Sequence, residues 1–137
     1  MSIVLCNYMG EFGMSAAAET LSAGKSALDV LEAGIAPCEA NIEIDIVGKG
    51  RWPNALGVMQ TDAGVMDGAT LQVGSVGAVE NITHVFSLAR LVQTKLPHVC
   101  LVGQGAKRFA LEMGFEEEQD LVSNQGKEDY TKWLRDN

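Results

Sequence analysis

The sequence has 137 residues, with 10 lysines and arginines against 18 aspartates and glutamates, a formal net charge of −8 and 47% apolar residues. That balance argues against a nucleic-acid partner, because phosphate-backbone binding runs on Lys and Arg, and Lys107-Arg108 is the only adjacent basic pair. The length suits a single domain over 1–137 with a substantial core. A mean hydropathy of +0.08 with few aromatics implies a core of Ala, Val, Leu, Ile and Met, or an apolar face that meets another chain.

Ile3-Val4-Leu5-Cys6 reads as a short buried strand, broken by a loop over 7–13 that holds Gly10 and Gly13. Ser15 is placed to cap a helix over Ala16 to Leu21, which Gly24 ends. Ser26 with Asp29 three residues on forms a capping box, and Leu28, Leu31, Ile35 and Cys38 then fall at helical spacing. A helix from Ser26 to about Glu39 follows, with Pro37 ending or kinking its last turn. Ile42, Ile44 and Ile46 alternate with Glu43 and Asp45, the period of a half-buried strand over 41–47.

A glycine-punctuated loop over 48–54 leads to expected strands near 57–61 and 64–66. Asp67-Gly68 is a tight-turn signal, because Gly accepts the positive φ of a primed turn. The return strand is expected over 70–78, with Gly74 and Gly77 inviting close approach of another backbone. Ile82, Val85, Phe86, Ala89 and Val92 form one stripe of a helix over 81–95. Beyond Pro97, Val99 to Val102 reads as a strand buried on both faces, and a helix from Gly103 to Gly114 follows. The acidic run 115–120 reads as a solvated segment, and Ser123 as the cap of a last helix carrying Tyr130, Trp133 and Leu134. This order is that of an α/β layered (α+β) domain rather than a βαβ series.

Few residues suggest chemistry on their own. Cys6, Cys38 and Cys100 are odd in number and lack ligand spacing, so neither a disulfide framework nor a metal site is expected, and each reads as a buried apolar side chain. Asn81-Ile82-Thr83 is a sequon of a kind common by chance. Gly48-Lys49-Gly50-Arg51 lacks the Gly-Lys-Ser/Thr ending of a phosphate loop and reads as a turn, and Gly103-Gln104-Gly105 reads as a helix cap rather than an anion site. Asp62 and Asp67 read as turn residues rather than a catalytic pair, and His84 and His98 as structural. No cofactor motif appears. No apolar run approaches the ~20 residues of a membrane span. A soluble protein is expected, cytoplasmic or, in a bacterium, periplasmic after removal of a signal peptide.

Six segments in order carry a resemblance: Ser26-Ala27-Leu28-Asp29-Val30-Leu31-Glu32-Ala33-Gly34, the loop from Val47-Gly48 to Asn54, Thr61-Asp62-Ala63-Gly64-Val65-Met66-Asp67-Gly68, Ser87-Leu88-Ala89-Arg90, Pro97 to Gly103, and Phe109 to Phe115. Together they resemble the α chain of glycosylasparaginases, in the asparaginase-2 group of N-terminal nucleophile hydrolases. The resemblance implies one part of an αββα sandwich, completed by a β chain cut from the same precursor, with α/β units pairing into a dimer. It implies hydrolysis of a β-aspartyl amide by a threonine at the start of that β chain, so no catalytic residue is expected in this chain.

Three positions depart from the family, and two of them, Tyr8 and Ile46, are the expected substrate-binding residues. Tyr8 stands where the family has a tryptophan lining the sugar-side pocket; it keeps an aromatic wall but adds a hydroxyl. Ile46 stands where the family has a serine or threonine near the nucleophile, and Arg51 replaces a glycine close by. These changes leave three substrate readings open: glycosylated asparagine, asparagine or β-aspartyl peptides, and a catalytically silent assembly subunit.

Overall fold

The computed structural model describes residues 2–44, 46–50 and 52–137; Met1, Asp45 and Arg51, with the expectation attached to Arg51, lie outside the described residues. The expected first strand is absent. Residues 2–7 have no regular structure, and Ile3 and Leu5 are 68% and 86% exposed. Apolar, β-branched residues form a strand only beside a ladder partner, and among the described residues none pairs with this segment.

A 3-10 helix, Tyr8–Gly13, replaces the expected loop, with Asn7 Oδ1 accepting from the Gly10 amide at 3.1 Å. It runs into α1 (Met14–Ser22), whose cap position is Gly13, so Ser15 lies inside the helix rather than capping it. Gly24, at φ +71°, follows its end. Helix α2 (Ala27–Ala40) starts where the capping box places it. Ser26 Oγ accepts from the Asp29 amide and Asp29 Oδ2 from the Ser26 amide, both at 3.2 Å. Pro37 sits inside α2 instead of ending it; near the C-terminus it forfeits a single backbone bond.

Among the described residues of 41–47 the expected strand is also absent. Asn41 closes a turn, its Oδ1 accepting from Glu43 and its carbonyl from Ile44, each at 3.0 Å. Such a local side-chain bond competes with strand pairing. Ile44 is fully buried while Ile46 is 57% exposed. Nor is there a strand at 57–60: Asn54 Oδ1 accepts from Leu56 and Val58 and folds that stretch into a turn.

The sheet has three strands in the order β1 (Thr61–Met66), β2 (Val73–Val79) and β3 (Cys100–Val102), antiparallel between β1 and β2 and parallel between β2 and β3. The β1–β2 connection is not the two-residue turn expected at Asp67-Gly68. The Asp67 amide bonds to the Gln72 carbonyl and the Leu71 amide to the Asp67 carbonyl. The non-glycine Leu71 takes the positive φ, +58°. Helix α3 (Val85–Lys95) begins later than expected because Asn81 adopts φ +63°, yet the whole Ile82 to Val92 stripe is buried. Helices α4 (Gly103–Glu112) and α5 (Asn124–Asp136) follow, and Ser123 caps α5 by accepting from the Gly126 amide.

The acidic segment is tied down rather than free. Glu117 pairs with Lys107, and Glu118 with Lys49 at 2.7 Å and with the Thr83 hydroxyl. No described helix is long and apolar enough to cross a membrane.

Register decides which sheet face is covered. Ala63, Val76 and Leu101 lie side by side on the face that packs on α3 and α4, around a core of Val79, Leu88, Ala89, Val92, Ala106 and Ala110. On the other face Gly64, Ser75 and Cys100 align, with Met66 beside Val73 and Gly77 beside Val102. Met66, Val73 and Val102 are 55%, 40% and 64% exposed. Thus β3 is buried on one face only, through Leu101. Cys6 and Cys100 are exposed and only Cys38 is buried, against the expectation that all three would be.

Candidate functional site

A groove of about 720 Å³ opens between the N-terminal segment, α1 and α2 on one side and β1 with residues 46–50 and Trp52 on the other. Its lining is mostly apolar, with Leu5, Met9, Leu31, Val47, Trp52 and Met59 among its walls. Asp62 and Gly64 belong both to the groove and to the open sheet face, so the two surfaces are continuous.

Ile46 lies on the groove wall, half-exposed. Tyr8 is 76% exposed at the start of the 3-10 helix; its successors Met9, Gly10 and Gly13 line the groove and Tyr8 does not. The structure therefore brings Ile46 to the groove and leaves Tyr8 outside its rim.

The two aspartates do local work. Between β1 and β2, Asp62 stands opposite two residues, Gly77 and Ala78, a bulge in which Ala78 takes φ +50°. Asp62 Oδ1 accepts from the Ala78 amide at 2.7 Å and fixes it. Asp67 Oδ1 accepts from the Ala69 amide at 2.9 Å, and that bond holds its carboxyl below the ordinary range.

Gly48 has φ +59°, and a Cβ there would lie 2.0 Å from the Glu39 carbonyl oxygen, so the 46–50 loop is pressed onto the end of α2. Gly103, also at positive φ, opens α4 as a plain strand-to-helix junction. His98 is exposed before β3.

Glu39, at the end of α2, is the residue that sequence reasoning missed. It is only 3% exposed, with one carboxylate oxygen accepting from the Phe86 amide at 2.9 Å and the other 3.4 Å from His84 Nδ1. Burial pushes its carboxyl up, against the pull of the Phe86 amide and His84. The partners lie more than forty positions away, so the only local hint was an acid on the otherwise apolar last turn of α2.

Neither Thr61 nor Cys38, which face the groove, has a base beside it. Thr61 donates to the Val79 carbonyl at 3.2 Å, and Cys38 contacts the Gly34 carbonyl at 3.4 Å, its thiol pushed up by burial. Nucleophilic catalysis needs a base in hydrogen-bond reach of the nucleophile. Among the described residues no group of three or more His, Cys, Asp or Glu is arranged to hold a metal. Among the described residues the groove offers walls and one buried carboxylate, Glu39, rather than a reaction centre.

Comparison with known proteins supplies the kinship. The sequence model of the Asparaginase_2 family, described as asparaginase, matches residues 12–137. The chain is 40% identical over 118 residues to an N(4)-(beta-N-acetylglucosaminyl)-L-asparaginase of Rattus norvegicus, covering 86% of this chain and 34% of that protein. A protein of the same description from Elizabethkingia miricola is 39% identical over 127 residues, 90% of this chain and 37% of its own length. An isoaspartyl peptidase/L-asparaginase of Danio rerio is 39% identical over 128 residues, 89% of this chain and 41% of its own. The chain thus spans about a third to two fifths of the length of these relatives. With the match running from the 3-10 helix through α5, the chain belongs to the asparaginase family that this model describes.

Proposed function

We propose that this chain is the α subunit of an amidohydrolase that cleaves the β-aspartyl amide bond of N4-glycosylated asparagine, with its threonine nucleophile on a separate β chain from the same precursor. The observation that carries the reading is the half-covered sheet. One face is packed on α3 and α4, while the other is open, apolar at its ends and continuous with a groove that has walls but, among the described residues, no reaction centre. Gly64, Ser75 and Gly77 on the open face let a second sheet stack at the ~10 Å spacing of face-to-face packing. That sheet, contributed by the β chain, completes an αββα sandwich and brings the nucleophile to the groove, and two such α/β units pair. Ile46 borders the substrate from the loop, and Tyr8 meets its leaving-group side once the N-terminal segment is covered.

A second reading, an asparaginase or isoaspartyl peptidase, is favoured by the apolar lining of the groove around Ile46 and by the 39% identity to the Danio rerio protein. One experiment separates the readings. The chain is produced together with the polypeptide that completes the family's length, and aspartate release is measured from N4-(N-acetylglucosaminyl)-asparagine, asparagine and a β-aspartyl dipeptide. Release from the glycosylated substrate first supports the proposal, and preference for the dipeptide or asparagine supports the second reading. A complex with a free amino-terminal threonine that hydrolyses none of them refutes both, leaving a silent assembly subunit.

A further inference from the structure

We propose that Glu39 is a positioning residue for the groove: its carboxylate holds the start of α3 while its backbone holds the 46–50 loop, locking both to the end of α2. The cap position of α3 is His84, which makes no side-chain cap bond. The first amides of a helix need an acceptor and attract negative charge. Glu39 supplies both from 47 residues away, accepting from the Phe86 amide at 2.9 Å, while the Val85 amide bonds to the Thr83 carbonyl at 3.1 Å.

Of the charged groups around it, His84 reaches the carboxylate and Lys49 does not. His84 is half-exposed at 3.4 Å, Lys49 turns away to Glu118 at 2.7 Å, Glu118 is held by Thr83, and Cys38 precedes it on α2. Burying a carboxylate this way is costly unless hydrogen bonds compensate it, and here the Phe86 amide and the His84 ring do so.

The same residue's carbonyl accepts from the Lys49 amide at 3.0 Å, and Gly48 leaves no space between loop and helix end. Ile46, Val47, Gly48 and Gly50 of that loop form one wall of the groove. The end of α2, the 46–50 loop and the distant start of α3 therefore take their mutual position from one side chain and its own peptide group. The effect on substrate rests on the function proposed above; the effect on the loop does not.

The test uses the assembled α/β complex with Glu39→Ala, Glu39→Gln and Gly48→Ala, read by amide hydrogen exchange and by KM and kcat for a β-aspartyl amide. In Glu39→Ala, exchange rises roughly tenfold or more in the peptide spanning 84–87, whose Val85 and Phe86 line the groove, and stays unchanged in α1 and in 46–50, which is held by the Glu39 peptide carbonyl. KM rises roughly tenfold while kcat moves by less than about twofold, because uniform binding is lost and no reacting group is touched. Glu39→Gln keeps an acceptor for Phe86 and restores most of both. Gly48→Ala, whose Cβ would meet the Glu39 carbonyl oxygen at 2.0 Å, instead raises exchange in 46–50 and raises KM with the carboxylate intact. Unchanged exchange at 84–87 in Glu39→Ala, or a lower melting temperature with KM unaltered, overturns the proposal. If Glu39→Ala does not fold, unchanged exchange and KM in Gly48→Ala overturn it instead. A wild-type complex without hydrolytic activity refutes the enzyme reading, and the exchange measurements still decide the role of Glu39.

Discussion

Replacing Gly74 with alanine tests how closely the sheet and α3 are packed. Gly74 pairs with Val65 on the helix-covered face of β2. A Cβ added there would lie 2.2 Å from the Ala89 carbonyl oxygen and 2.6 Å from the Gln93 amide nitrogen, both α3 backbone. Ordinary non-bonded contact begins near 3.5 Å, so the helix must retreat by about 1 Å. It cannot do so alone, because Leu88, Ala89 and Val92 of the same helix are fully buried in the core. Overpacking typically costs about 1–3 kcal/mol, and an obstacle made of backbone places this substitution near the top of that range.

For a chain of this length that corresponds to a fall in melting temperature on the order of 10 °C. Gly77→Ala is the internal control: its Cβ would meet only Asp62 Oδ1 at 3.3 Å and Val102 Cγ1 at 3.5 Å on the open face. It should cost no more than about 0.5 kcal/mol of chain stability. Urea unfolding followed by tryptophan fluorescence gives both values, as midpoint shifts at unchanged slope. A cost below about 1 kcal/mol for Gly74→Ala, or equal costs at the two sites, would refute the packing argument.

The Ser26 hydroxyl, and then Arg90, hold the Asp29 carboxyl at about 2, below the ordinary 3.8. A depressed folded-state value means stability that is complete above pH 3.8 and is lost as pH falls toward about 2. Wild type should therefore exceed Asp29→Asn in stability at neutral pH and converge on it in acid, and parallel curves across that window contradict the assignment. Leu71, 67% exposed at φ +58°, occupies a conformation that costs an L side chain roughly 1 kcal/mol. Leu71→Gly should raise the unfolding midpoint by about 0.5 kcal/mol after the entropy that glycine adds to the unfolded chain; a lowered midpoint argues against strain there.

What could be read from the sequence was what is decided locally. Ser26 and Asp29 are three residues apart and close their box without outside help, so the start of α2 was legible, as was the α3 stripe. Strands are different, because a partner elsewhere decides whether an apolar run pairs. Ile3 to Cys6 and the alternating isoleucines at 42, 44 and 46 have strand composition and no ladder, and Asn41 folds the second run into a turn. The hairpin showed the same limit: the Asp67-Gly68 signal marked the right place, but the positive φ fell on Leu71.

At the site, the loop bearing Ile46 was legible through its glycines and its resemblance to a known family. Glu39 was not, because its importance lies in amides of α3 that no sequence spacing connects to it. The position of Tyr8 outside the groove depends on the N-terminal segment, which has no strand partner within the described residues.

The central claim is that another chain covers the open sheet face, and Cys100 reports on it directly. Cys100 is exposed on that face, opposite Ser75, whereas Cys38 is buried. With Cys6 replaced by serine, the rate at which a maleimide labels Cys100 is compared between the assembled complex and the urea-dissociated chain. The account predicts labelling roughly a hundredfold slower in the complex, as expected when only opening exposes a buried group. Labelling of Cys100 in the intact complex as fast as a free thiol would contradict it.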